Sequence, residues 1–133
     1  MRLLLDTHAL VWWWLDDRKL PTAARSAIAD QTNEVIVSAV SAWEIANKFR
    51  VGKWPEVGSL ADGFAGKLAL SRFAALPVNI DHAQLAGTLP GSHRDPFDRL
   101  IAAQCLIEAA TLVSADEVLT QFGLTNLWTG TMH

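Results

Sequence analysis

The feature that most constrains this chain is a recurrence of short apolar runs with helix-forming stretches between them. Leu3-Leu4-Leu5, Val35-Ile36-Val37 and the runs 76–80 and 111–114 are too short for helices and lack a wet alternate face. Such runs suit strands buried on both sides. Helical spacing over 9–15 follows the first run, and Pro21 opens a second helix to about residue 29, because proline fits a first turn. Ser38 or Ser41 caps a helix to about residue 51, which ends at Gly52. Another helix covers roughly 60–73, and Asp81 caps a short one after the third strand. Asp95 is a natural N-cap before Pro96, opening a helix to about residue 110. A short helix over 116–122 and a fifth strand over 126–128 follow. The alternation predicts a three-layer α/β/α sandwich with a mainly parallel central sheet. Its functional crevice is expected at the carboxyl ends of the strands.

The 133 residues suit one domain spanning 1–133, and half of them are apolar, enough for a sizeable core. A single cysteine excludes a disulfide scaffold and points to the cytoplasm. No apolar stretch is long enough to cross a bilayer, and Asp6 interrupts the N-terminal run where a signal peptide would continue it. A net charge of −3 argues against holding nucleic acid by bulk positive charge. It leaves open a protein that holds nucleic acid through a metal.

Four of the fourteen acids stand out because each ends an apolar run or interrupts an apolar helix. Asp6 ends LLLD, and Asp116 follows TLVSA; in a parallel sheet both face one crevice. Glu44, between Trp43 and Ile45, and Asp98, in DPFDRLIAAQC, lie in early turns of helices that can start at the same edge. Taken singly, an acid is usually a cap or a solvated surface group. Four carboxylates together repel, so either their pKa values rise or a cation balances them. Oxygen-only ligands at an open crevice suit Mg²⁺ or Mn²⁺ and not zinc. Such an ion neutralises a phosphodiester and lowers the pKa of bound water. Hydrolysis of that kind leaves 5′-phosphate and 3′-hydroxyl ends.

The segments LLLDTHALVWW, SAVSAWEIANK, HRDPFDRLIAAQC and LVSAD, in this order, resemble the four acidic motifs of PIN-domain ribonucleases, and most closely VapC-type toxins of bacterial type II toxin–antitoxin pairs. The motifs span nearly the whole chain, and the set is far more specific than any one of them. The resemblance implies that Asp6, Glu44, Asp98 and Asp116 form a catalytic and metal-binding quartet, with Thr7 and Ser114 as the small hydroxyl residues beside it. It further implies Mg²⁺ or Mn²⁺, an RNA substrate and a VapB-like antitoxin. The competing readings are a non-catalytic PIN-like binding module and a phosphoacceptor signalling domain. The first normally lacks one acid, and none is missing. The second wants a late lysine, and no lysine follows Lys67.

Asp95 is a tempting fifth ligand, but capping explains it. Arg94 and Arg99, with His93, lie near the expected crevice and are candidates for phosphate contact. His8 reads as a helix-start residue, and Cys105 as core. Trp12, Trp13 and Trp14 span ~200° of a helix, wider than an ordinary buried stripe. They therefore point to an interface, in a homodimer or with the antitoxin.

Overall fold

The computed structural model describes residues 1–91, 95–116, 122, 124, 126 and 127. Strand β1 (Arg2–Leu5) leads into helices α1 (Thr7–Trp14) and α2 (Thr22–Ala29), then β2 (Glu34–Ser38) and α3 (Ala39–Arg50). A 3-10 helix (Pro55–Leu60), α4 (Phe64–Ser71) and β3 (Ala74–Leu76) come next. Helices α5 (Ile80–Thr88) and α6 (Pro96–Ile107) precede β4 (Thr111–Val113). The strands form one sheet in the order β3-β2-β1-β4, every pair parallel.

Side-chain alternation along the strands builds two cores, one on each face of the sheet. Leu3, Leu5, Val35, Val37 and Val113 point into a layer shared with α1, α2 and α4. Leu4, Ile36 and Leu112 point into the other, shared with α5 and α6. This is the expected three-layer α/β/α sandwich. Leu3, Leu4 and Leu5 are fully buried, each contributing roughly 1.5–3 kcal/mol by leaving water. A sheet covered on both faces needs continuous apolar strands, which is why LLL and VIV do not alternate with polar residues. Among the described residues, no helix is long and apolar enough to cross a membrane.

Several boundaries differ from expectation, each for a local reason. The third strand lies at Ala74–Leu76, earlier than 76–80, because Pro77 has no N–H for the ladder. Asn79, not Asp81, caps α5: it accepts from the His82 backbone N–H at 2.8 Å, and its own N–H donates to His82 Nδ1 at 3.1 Å. The helix expected over 60–73 is a 3-10 turn followed by α4, separated at Gly63 by a left-handed residue. Helix α6 stops at Ile107, short of 110, because Ala109 takes φ 52° and the Ala110 N–H donates to the Cys105 carbonyl at 3.0 Å. That closing turn usually carries glycine, so an alanine hides it from a sequence reading. Of the predicted fifth strand, Asn126 makes one parallel bridge to Leu112, while Trp128 lies outside the described residues. The helix expected over 116–122 also falls mostly outside them.

The three consecutive tryptophans are half-buried, each against a different neighbour. Trp12 meets His8, Trp13 meets Phe73, and Trp14 meets Phe64 while donating its indole N–H to Ser71 Oγ at 2.8 Å. Helix α1 thus spreads its wide aromatic stripe over several elements of its own layer.

Candidate active site

Parallel register sets the site. Leu5 pairs with Val37 on one side and Val113 on the other, so Asp6, Ser38 and Ser114 all follow at the same sheet edge. Asp6 caps α1, accepting the Ala9 N–H at 2.8 Å, and it also accepts a short hydrogen bond from the Ser114 hydroxyl. The Ser114 oxygen in turn accepts the Asp116 N–H at 3.0 Å. Asn126 clasps the Ser114 backbone from both sides, its amide donating to the Ser114 carbonyl at 3.0 Å and its oxygen accepting the Ser114 N–H at 3.3 Å.

Helix α3 starts from the same edge, capped by Ser38, which accepts the Val40 N–H at 3.0 Å. Buried hydroxyls of Thr7 and Ser41 meet at 2.9 Å and lock the start of α1 to α3. Glu44 lies one turn beyond Ser41, on the same helical face. Asp95 caps α6, accepting from the Phe97 N–H at 2.9 Å and the Asp98 N–H at 3.4 Å. Capping therefore does account for Asp95, although it also borders the site.

The four acids singled out from sequence open onto one cleft of ≈ 160 Å³, which Thr7 and His8 also line. Its electrostatics are those of crowded acids. Burial pushes the Asp6 carboxyl up from 3.8 to about 6, against the Ser114 and Ala9 hydrogen bonds that lower it, with repulsion from Asp98 and Glu44 adding to the rise. Burial, followed by nearby Lys48, lowers the pKa of His8, while Glu44 and Asp116 pull it back up.

Among the described residues, no three His, Cys, Asp or Glu side chains stand close enough together to hold a metal ion as arranged here. Two of the acids are otherwise engaged. Glu44 accepts from Lys48 Nζ at 2.7 Å, one helical turn on, and Asp6 is turned to Ser114. The donor set nonetheless fits a hard divalent cation: four carboxylates, no sulfur, and an Asp6 whose charge is under-compensated.

The amino-acid sequence matches the PIN domain family over residues 3–123, a span that holds all four acids. The chain belongs to that family. Ribonuclease VapC22 of Mycobacterium tuberculosis is 30% identical to it over 128 residues, covering 88% of each protein. Two solved structures share the fold at 20% identity. VapBC2 from Rickettsia felis, bound to a DNA fragment from their promoter, superposes with a TM-score of 0.69 over 95% of this chain and 97% of that one. VapBC-1 from nontypeable Haemophilus influenzae gives 0.65 over 97% and 99%.

Other expected site residues of this PIN domain have different surroundings. Arg99 turns to the end of α5, where its Nε donates to the Ala86 carbonyl at 2.8 Å and its Nη2 makes a short bond to the Leu89 carbonyl. Its guanidinium also lies over Phe122. These contacts tie Arg99 to the last turn of α5. Arg94 and His93 lie outside the described residues. Cys105 is core, with burial pushing its thiol up to about 12. Sequence reasoning passed over Lys48, although Glu44 and Lys48 at i, i+4 are a recognisable ion pair. It also gave His8 only a helix-start role, whereas the ring lines the cleft and packs on Trp54 with centroids 4.8 Å apart.

Proposed function

We propose that this PIN domain is the ribonuclease toxin of a VapC-type pair, hydrolysing RNA phosphodiester bonds and neutralised by a VapB-like antitoxin. The observation that carries the reading is the convergence of Asp6, Glu44, Asp98 and Asp116 on one cleft at the carboxyl edge of a parallel sheet. A relative named as a ribonuclease over nearly its whole length supports it. The likeness in fold to VapBC proteins supports the antitoxin partner.

Asp6, Glu44, Asp98 and Asp116 would hold Mg²⁺ or Mn²⁺, which when bound supplies positive charge to the scissile phosphate and acidifies water. The chain's own part is positioning. Ser114 orients Asp6 and, through the Asp116 N–H, ties the fourth acid beside the first. The Thr7–Ser41 bond sets the helix that carries Glu44. Neither hydroxyl need touch RNA, so both act through the acids. Lys48 pairs with Glu44, and a cation held by the acids would have to displace that lysine.

The test is incubation with a range of cellular RNAs, with Mg²⁺, Mn²⁺ or EDTA, and with Asp6→Asn as control. Cleavage that needs the cation and Asp6, and that leaves 5′-phosphate ends, is the expected result. Intact RNA under every condition overturns the reading. Sedimentation with and without the protein encoded beside it tests the antitoxin and the homodimer together.

A further inference from the structure

A groove of ≈ 510 Å³ runs off the acidic cleft along α3. Glu44, Lys48, Asp95 and Phe97 border both, so a strand lying in the groove leads directly to the carboxylates. An aromatic pair lines this groove. Trp43 and Phe97 stack with centroids 4.8 Å apart and 29° between their planes. Phe97 is backed by the core layer under α5 and α6, whereas Trp43 is still 52% exposed. The indole is thus held in a set orientation from behind and left open in front. Lys53 is exposed on the same groove, and Lys48, at its inner end, is paired with Glu44.

An open apolar ring, with an exposed lysine on the same groove and a path to the acidic cleft, matches the chemistry of an unpaired nucleotide. Every base has a face to stack, and its flanking phosphates seek lysine. A base inside a duplex is already stacked and cannot reach such a ring. We propose that Trp43, backed by Phe97, stacks one unpaired RNA base next to the scissile phosphate while Lys53 holds a neighbouring phosphate. This inference rests on the ribonuclease reading above and assigns a base-stacking residue to that same site.

The experiment uses the full chain carrying Asp98→Asn, which binds without cutting, and a fluorescein-labelled, mixed-sequence single-stranded RNA with its blunt duplex. Single-stranded RNA should bind more tightly than the duplex. Adding Trp43→Ala should weaken single-strand binding about tenfold, on the scale of one base–aromatic stack. Trp43→Phe should retain most of the affinity, and Lys53→Gln should weaken binding and flatten its salt dependence. In the chain with all four acids, Trp43→Ala should raise KM more than it lowers kcat. Thermal melts check that each variant is folded, and Trp43→Phe serves if Trp43→Ala is not. Equal affinity of a folded Trp43→Ala and its parent, or a preference for duplex, overturns the proposal. So does a variant that loses the antitoxin and keeps RNA, because the face is then a protein interface. Absence of RNA cleavage by the unsubstituted chain counts against the ribonuclease reading. Cleavage that Trp43→Ala leaves unchanged counts against the platform alone.

Discussion

Ser114 donates its hydroxyl hydrogen to Asp6, a residue 108 positions earlier in the chain. The bond joins the ends of β4 and β1, and the Asp116 N–H on the same Ser114 oxygen extends it to a second acid. The carboxylate of one acid and the backbone of a second are thereby tied to one hydroxyl at the seam of two neighbouring parallel strands.

The pH dependence of stability should carry the mark of Asp6. Folding raises its pKa from 3.8 to about 6, so the metal-free folded state holds a proton that the unfolded chain has released. With fewer protons on the unfolded state, stability falls as pH rises across that window and stays lower above it. A shift of this size corresponds to at most about 3 kcal/mol. Asp6→Asn should therefore melt higher than wild type at neutral pH in EDTA, and the two curves should converge near pH 4. Thermal melts across that range check it. A variant that melts lower at neutral pH would mean that the Ser114 and Ala9 bonds outweigh burial.

Asp98 is expected to separate stability from activity. Its charge is one of those raising Asp6. Asp98→Asn should abolish RNA cleavage and leave the metal-free protein as stable as wild type or more so. An ion that binds only the folded state stabilises it by about 2.7 kcal/mol at a hundredfold excess over Kd. Mn²⁺ should raise the melting temperature of wild type and raise that of Asp98→Asn less, and EDTA should reverse both gains. A variant melting well below wild type in EDTA would make Asp98 a structural acceptor.

Lys48 competes with a cation for Glu44, since its ammonium lies 2.7 Å from the carboxylate. Lys48→Met removes both the competitor and a repelling charge. Mn²⁺ affinity should rise about three- to tenfold, the effect of one partly screened charge at close range. Calorimetric titration measures it; weaker binding would mean that Lys48 orients Glu44 and does not occupy it.

Arg99 should behave as a structural residue. Its guanidinium holds the Ala86 and Leu89 carbonyls at the end of α5. Bonds from a charged donor to partly buried acceptors imply a loss of about 2 kcal/mol for Arg99→Ala. KM for RNA should change by less than about twofold in the folded variant. A large rise in KM at unchanged melting temperature would restore the phosphate contact expected from sequence.

The strands and most helices were legible because burial on both faces demands apolar runs, and LLL and VIV meet that demand whatever surrounds them. The Asp95 cap was legible because the proline after it marks a first turn, whereas Asn79 was passed over for Asp81. The shift of the third strand and the end of α6 were not, because a proline-limited edge strand and a left-handed alanine leave weak local signals. The bonds of Arg99 to α5 were not legible either: a helical arginine has the same sequence context whether it turns to substrate or to a neighbouring helix.

Local pattern settles which residues become strands, which acids end them, and hence that Asp6 and Asp116 follow strands β1 and β4. It also settles that Glu44 and Asp98 sit early in helices, because the caps of those helices are a few residues away. Strand order is different. Placing β1 between β2 and β4 depends on which apolar faces bury best together across the whole chain, a long-range choice that no window of sequence contains. Only after that choice does Ser114 reach Asp6, Thr7 reach Ser41, and Trp43 come to rest on Phe97. Contacts between distant residues form when packing brings their elements together, so the acids are written in the chain and their common cleft is made by the fold.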